Sequence, residues 1–176
     1  MRYRINLSYD GSSFCGWQIQ NSAPSVQEKV QDALSILLKE EVTLTGAGRT
    51  DTMVNAIGYA AHFDTLEAIP DVRSLGYKMN AILPKGIIVH SIEKCPDDFH
   101  ARFSATGREY MYFLHRKKDP FLEKYSYRCS YPLDVEAMNK AAGMILGTKD
   151  FSCFEKTGGA NKTSICTVTK AVWETY

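Results

Sequence analysis

Val42-Thr43-Leu44-Thr45-Gly46-Ala47-Gly48-Arg49-Thr50-Asp51, continued through Thr52 to Asn55 into Ala56-Ile57-Gly58-Tyr59-Ala60-Ala61-His62-Phe63, reads as a short strand, a glycine-rich turn and a longer apolar strand. Upstream, Tyr3, Ile5, Leu7 and Tyr9 alternate with Arg4, Asn6 and Ser8, which marks a half-buried strand ending at Asp10-Gly11. Ser25-Val26-Gln27-Glu28 is a capping box, and Val26, Val30, Ala33, Leu34, Leu37 and Leu38 recur at helical spacing, so a helix is predicted over 25–39. Downstream, Pro70 and Asp71 open a helix to about Ala81, Pro84-Lys85-Gly86 breaks it, and Ile87 to Ile92 is a strand. The order βαββαβ predicts an α+β chain whose residues 1–97 form an N-terminal ferredoxin-like domain, a four-stranded antiparallel sheet with two helices on one face. A second, similar unit is expected over 98–176: a strand at 106–116, a helix from Asp134 to Gly147 and a strand from Val168 to Tyr176. Its last elements are missing, so the reading is of an incomplete second domain in a fragment or truncated form, the alternative being a small non-repeating subdomain.

The chain has 176 residues, 44% of them hydrophobic, which sets an expectation of about one domain with a real core. Its formal net charge of +1 supplies no overall field, so a polyanion site must come from local clustering. Cys15, Cys95, Cys129, Cys153 and Cys166 form no C-x-x-C pair and are expected to be reduced thiols, not a disulfide framework or zinc knuckle. Met1-Arg2-Tyr3-Arg4-Ile5-Asn6 contains no apolar signal core, and no apolar run approaches the ~20 residues of a membrane span. A cytoplasmic protein without membrane association is the expectation.

Chemistry concentrates at Gly46 to Asp51. The glycines permit positive φ and close ligand approach, while Arg49 and Asp51, two apart in extended chain, project to one side. A guanidinium beside a carboxylate leaves it ionised and oriented as a nucleophile or base. Equally, Asp51 closes an Asx-turn and Arg49 merely pairs with it. Between Arg102 and Arg128, cations such as Arg108, Arg116, Lys117, Lys118 and Lys124 outnumber Glu109, Asp119 and Glu123, with Phe103, Tyr110, Tyr112, Phe113, Phe121, Tyr125 and Tyr127 interleaved. Phosphates need cations and unstacked bases need aromatic faces, so this composition suits RNA, although several of these rings are also core candidates. Gly46-x-Gly48 is followed by neither a phosphate-loop lysine nor a dinucleotide fingerprint, so no cofactor is expected. His62, His90, His100 and His115 have no metal-ligand spacing, and three of them fall on predicted strands or their ends, so no metal is expected.

Six collinear motifs then carry a resemblance over essentially the whole chain: Tyr9-Asp10-Gly11 leading to Gly16-Trp17-Gln18; Gly48-Arg49-Thr50-Asp51; Asn80-x-x-Leu83-Pro84; Phe99-His100-Ala101-Arg102-Phe103-Ser104-Ala105; Arg108-x-Tyr110-x-Tyr112; and Gly147-x-x-Asp150-Phe151-x-x-Phe154. In these the sequence resembles the tRNA pseudouridine synthase A family. The resemblance implies a cofactor-free isomerase that converts uridine to pseudouridine in the anticodon stem-loop of tRNA (family positions 38–40), usually as a homodimer. It implies that Asp51 is the nucleophile, attacking either the uracil ring or the ribose anomeric carbon, and that Arg49 takes the place of the flipped nucleotide or orients Asp51. It places Tyr110 against the uracil. Phe99, His100, Arg102 and Phe103, with Arg108, match tRNA-contacting positions, and Gly158-Gly159-Ala160-Asn161-Lys162 matches a second such place, with Lys162 meeting phosphate.

Two departures stand out. Where the family usually has Ala-Gly-Val-His-Ala, this chain has Thr52-Met53-Val54-Asn55-Ala56. If the replaced glycine uses positive φ, Met53 strains the turn by ~1 kcal/mol or more and its side chain could crowd the pocket. Family members also continue beyond the point matching Tyr176. These departures motivate the competing reading of a catalytically weakened or inactive RNA-binding paralogue, or a fragment of the same fold. A small-molecule enzyme with an aspartate nucleophile is the third reading.

Overall fold

The computed structural model describes residues 1–21, 23–155 and 163–175. They divide into two compact units, Met1–Met111 and Tyr112–Tyr176.

In the first unit, β1 (Arg2–Tyr9), α1 (Val26–Leu38), β2 (Leu44–Gly46), β3 (Ala56–Asp64), α2 (Val72–Ile82) and β4 (Ile87–Lys94) follow one another in the expected order. The strands form one antiparallel sheet ordered β2-β3-β1-β4. Helix ends follow the local chemistry. Ser25 Oγ accepts from the Glu28 amide at 3.2 Å and the Glu28 carboxylate accepts from the Ser25 amide at 3.5 Å, while Asp71 accepts from the Arg73 and Ser74 amides. The alternating face of β1 (Tyr3, Ile5, Leu7, Tyr9) is buried with Phe63 and Ala61 of β3 and Val89 and Ile92 of β4, and α1 and α2 add Val26, Val30, Leu34, Leu75 and Met79 to the same core. Burying such side chains contributes roughly 1.5–3 kcal/mol each, so this core dominates the unit's stability.

Each edge of the sheet is bracketed by helix carboxamides. In β2, the Leu44 amide donates to Gln31 at 3.0 Å and the Leu44 carbonyl accepts from Gln27 at 2.7 Å. In β4, the Val89 amide donates to Asn80 at 2.8 Å and its carbonyl accepts from the same side chain at 2.9 Å. Edge backbone groups that would otherwise be open are thereby satisfied. Asn80 of the Asn80-x-x-Leu83-Pro84 motif has this work, while Leu83 is buried in the core.

The second unit holds β5 (Leu114–His115) paired in parallel with β6 (Tyr127–Arg128), α3 (Val135–Gly143), and an antiparallel pair of β7 (Gly147–Asp150) with β8 (Ile165–Val168). The helix starts on Asp134 as expected but ends at Gly143, with Met144 as its cap and Gly147, at φ 91°, turning the chain into β7. The strand expected over 106–116 is confined to Leu114–His115. Residues 106–113 alternate correctly, but a strand needs a ladder partner, and among the described residues only the Phe113 carbonyl finds one, the Tyr127 amide at 2.8 Å. The strand expected from Val168 instead ends there, after pairing Ile165–Val168 with β7. Trp173 is held differently, its amide and carbonyl both bonded to Asn139 of α3 at 2.7 and 2.9 Å, the same bracket seen at Leu44 and Val89. Among the described residues no helix is long and apolar enough to cross a membrane.

Candidate active site

Asp51 lies on the connection between β2 and β3, solvent-exposed, in a stretch whose neighbours are fixed on every side. Its base is the Gly46–Gly48 turn. The Tyr59 hydroxyl donates to the Gly48 carbonyl and accepts from the Gly48 amide, and the Ala47 amide donates to the Ala60 carbonyl at 2.9 Å. Only glycine fits at position 46, because a Cβ there would lie 2.2 Å from the Tyr59 hydroxyl and 2.6 Å from the Trp17 indole. From outside, Arg108 Nη2 donates to the carbonyls of Ala47 at 2.7 Å and Arg102 at 3.3 Å, joining this turn to the 99–104 segment.

One residue before the carboxylate, the Thr50 carbonyl accepts from the Trp17 amide at 3.1 Å and its hydroxyl meets the Tyr9 hydroxyl at 2.9 Å. Beyond it, the Val54 amide closes onto the Asp51 carbonyl at 3.2 Å, and Asn55 Oδ1 accepts from the Gly11 amide at 2.8 Å. The Asp51 side chain opens onto a depression of about 280 Å³, walled by Cys15 and Gln18 to Gln20 on one side and Arg49 to Thr52 on the other. Arg49 shares that wall, but among the described residues it makes no ion pair with Asp51. Both side chains line the same depression without coming within ion-pair distance of each other.

The 99–104 segment is anchored to the sheet. Buried His62 accepts from the Ala101 amide through Nδ1 at 3.1 Å, and Arg2, paired with Asp64 at 2.8 Å, donates to the Phe99 carbonyl at 2.9 Å. Ring centroids of His62 and His100 are 4.8 Å apart, and those of His100 and Phe103 are 4.4 Å apart. The Arg102 guanidinium stands 5.6 Å from the Phe103 ring centre, and Phe103 is 75% exposed. Tyr110 is exposed and follows two residues after Arg108, whose guanidinium braces the Gly46–Gly48 turn. Asn161 and Lys162 lie outside the described residues. No three His, Cys, Asp or Glu side chains converge into a metal-binding group among the described residues.

The family model for tRNA pseudouridine synthase matches residues 6–104, a span that holds the Asp51 loop with Tyr9, Trp17 and Tyr59. The chain is 41% identical to the tRNA pseudouridine synthase A of Azobacteroides pseudotrichonymphae, over 99% of this chain and 70% of that protein. It is 43% identical to proteins of the same name from Parabacteroides distasonis, over 98% and 68%, and Bacteroides thetaiotaomicron, over 98% and 64%. The chain belongs to the tRNA pseudouridine synthase family. It spans roughly two thirds of the length of these curated relatives.

Within this synthase fold, Met53 does adopt the left-handed region, at φ 68°, so the strain anticipated from a missing glycine is present. Its side chain points to solvent, 64% exposed, and forms no part of the depression wall. Asn55 has a structural task in the Gly11 contact. Burial pushes the Tyr9 phenol up to about 12 and raises Tyr59 further, so both hydroxyls stay protonated as hydrogen-bond partners. Sequence reading missed the supporting group of Tyr9, Trp17, Tyr59 and Thr50. The available signal was the Tyr9 and Gly16-Trp17 motifs, whose aromatic rings pack with centroids 4.2–6.0 Å apart around Tyr59.

Proposed function

We propose that this protein is a tRNA pseudouridine synthase in which Asp51 is the nucleophile. The observation that carries the reading is an exposed carboxylate, open to a depression and flanked by immobilised backbone, within the stretch matched by the synthase family model. Asp51 forms a bond to the uracil ring or to the ribose anomeric carbon, and the nitrogen–carbon glycosidic bond breaks while the base is retained. The ring turns and rejoins through carbon, and the bond to Asp51 breaks, returning its electron pair to the carboxylate. The proton lost from that carbon is balanced by one gained at the freed nitrogen, so the product is an isomer and the reaction consumes no cofactor.

The target uridine must leave its helix to reach Asp51, at a cost of a few kcal/mol in unstacking. Tyr110 supplies a face for the extruded uracil, and Arg49, unpaired to Asp51 and on the same wall, fills the vacated place or orients the carboxylate. Phe99, His100, Arg102 and Phe103 contact the RNA, as do Asn161 and Lys162. Arg108 takes part while bracing the Ala47 turn. The anticodon stem-loop as target and a homodimer as the working form rest on the family resemblance, and a cytoplasmic setting rests on the absence of an apolar signal core or membrane-length apolar run in the sequence. The division into a ferredoxin-like domain at 1–97 and the beginning of a similar unit at 98–176 rests on the βαββαβ order of the sequence, and the β2-β3-β1-β4 order and the Asn139–Trp173 bracket lend it support.

Replacing Asp51 with Asn in the intact protein is expected to abolish pseudouridine formation, read by tritium release or mass spectrometry of modified tRNA. Melting temperature and tRNA affinity should remain close to wild type. Substantial turnover by Asp51→Asn rejects the assignment.

A further inference from the structure

We infer that Tyr9 is a positioning residue for Asp51, acting through Thr50; this deepens the reading above and rests on Asp51 being the nucleophile. The carboxylate has no hydrogen-bond or ion-pair partner of its own among the described residues, so its direction depends on the backbone that carries it. That backbone is held at Thr50 by two independent contacts. The Thr50–Asp51 peptide is fixed by the Trp17 amide, which donates to the Thr50 carbonyl at 3.1 Å. Gly16 makes this approach possible, since at φ 83° a Cβ there would lie 2.4 Å from the Thr50 oxygen. The Thr50 side chain is fixed by the Tyr9 hydroxyl at 2.9 Å.

Tyr9 is suited to be the stationary partner. It ends the central strand β1, pairs with Ala56 on one side and Ile87 on the other, and is 4% exposed. Its ring packs against Trp17 and Tyr59, at 6.0 and 5.6 Å between centroids, and those two rings pack on each other at 4.2 Å. Thr50 transmits the restraint because its hydroxyl sits on Cβ, one rotatable bond from the backbone, so fixing the hydroxyl also fixes the backbone. The Tyr9 hydroxyl is buried and already bonded, so it acts on the reaction only by holding Thr50. Without that bond the peptide keeps the Trp17 contact as a pivot, and the carboxylate samples directions unsuited to attack.

Four variants in the intact protein test this: Tyr9→Phe, Thr50→Val, the pair combined, and Thr50→Ser. Tyr9→Phe and Thr50→Val should each lower kcat by about tenfold with KM for tRNA little changed. Because they delete the same bond, the double variant should be no slower than the worse single one, whereas Thr50→Ser, which keeps the hydroxyl, should remain near wild type. Amide hydrogen exchange should accelerate across residues 49–55 in Tyr9→Phe and Thr50→Val and stay unchanged in β1 and α1. Unchanged exchange across 49–55 overturns the clamp. Faster exchange with unaltered kcat, additive losses in the double variant, or Thr50→Ser behaving like Thr50→Val overturns the positioning role. Turnover by Asp51→Asn in the same assay rejects the nucleophile itself, whatever Tyr9→Phe does.

Discussion

Met53 and Lys39 are the two non-glycine residues recorded at positive φ among the described residues, at 68° and 58°, and they test backbone strain in different settings. A left-handed conformation costs an L-residue about 1–2 kcal/mol, and glycine in return costs ~0.5–1 kcal/mol of unfolded-state entropy. Met53→Gly should therefore stabilise by no more than ~1.5 kcal/mol, while Met53→Ala, still bearing a Cβ, should give no gain; urea denaturation distinguishes them. The sequence did expose this position, through the glycine usual in the family. It did not show what holds Asp51 in place, because the turn following Thr50 is set by Trp17, Tyr9 and Gly11, all distant in sequence.

At the level of elements, α1, α2 and α3 use the same device: carboxamides from one helix take both backbone groups of a single residue in the segment that follows, Leu44, Val89 or Trp173. Asn80→Ala removes both partners of Val89 and should destabilise by about 1–3 kcal/mol, measured by thermal or urea unfolding. Asn80→Asp should cost more near neutral pH, because it keeps the acceptor for the Val89 amide but sets a carboxylate against the carbonyl. Caps and helical spacing made α1 and α2 legible to within a residue or two, since those signals are local. The 106–116 strand was not legible, because alternation reports two faces and says nothing about a pairing partner.

Over the whole molecule, the apolar side chains recorded as buried all lie between Tyr3 and Ala101, so the stability of the chain should report mainly on its first unit. A pH dependence follows from His62 within that unit. Burial, reinforced by the nearby Arg2 and His100 charges, holds its imidazole below the usual 6.5, and its Nδ1 must be free to accept the Ala101 amide. Below about 6.5 the unfolded chain binds a proton that the folded chain resists, so the His62 contribution is complete above that value and declines as pH falls toward the lowered folded-state value. The midpoint of thermal unfolding should drop between pH 7.5 and 5.5, and His62→Gln should flatten the drop. Asp64, held below the ordinary carboxylate range by its hydrogen bonds to Arg2, adds a loss of the same sign in more acidic solution. The aromatic-rich 110–127 stretch was legible as a surface but not as structure, since most of its rings are exposed. The nucleophile loop has one last consequence, for chimaeras: Tyr9, Gly11, Gly16 and Trp17 seat residues 46–55, so transplanting that loop alone between relatives moves a key without its lock, and a working hybrid must inherit both segments from one parent.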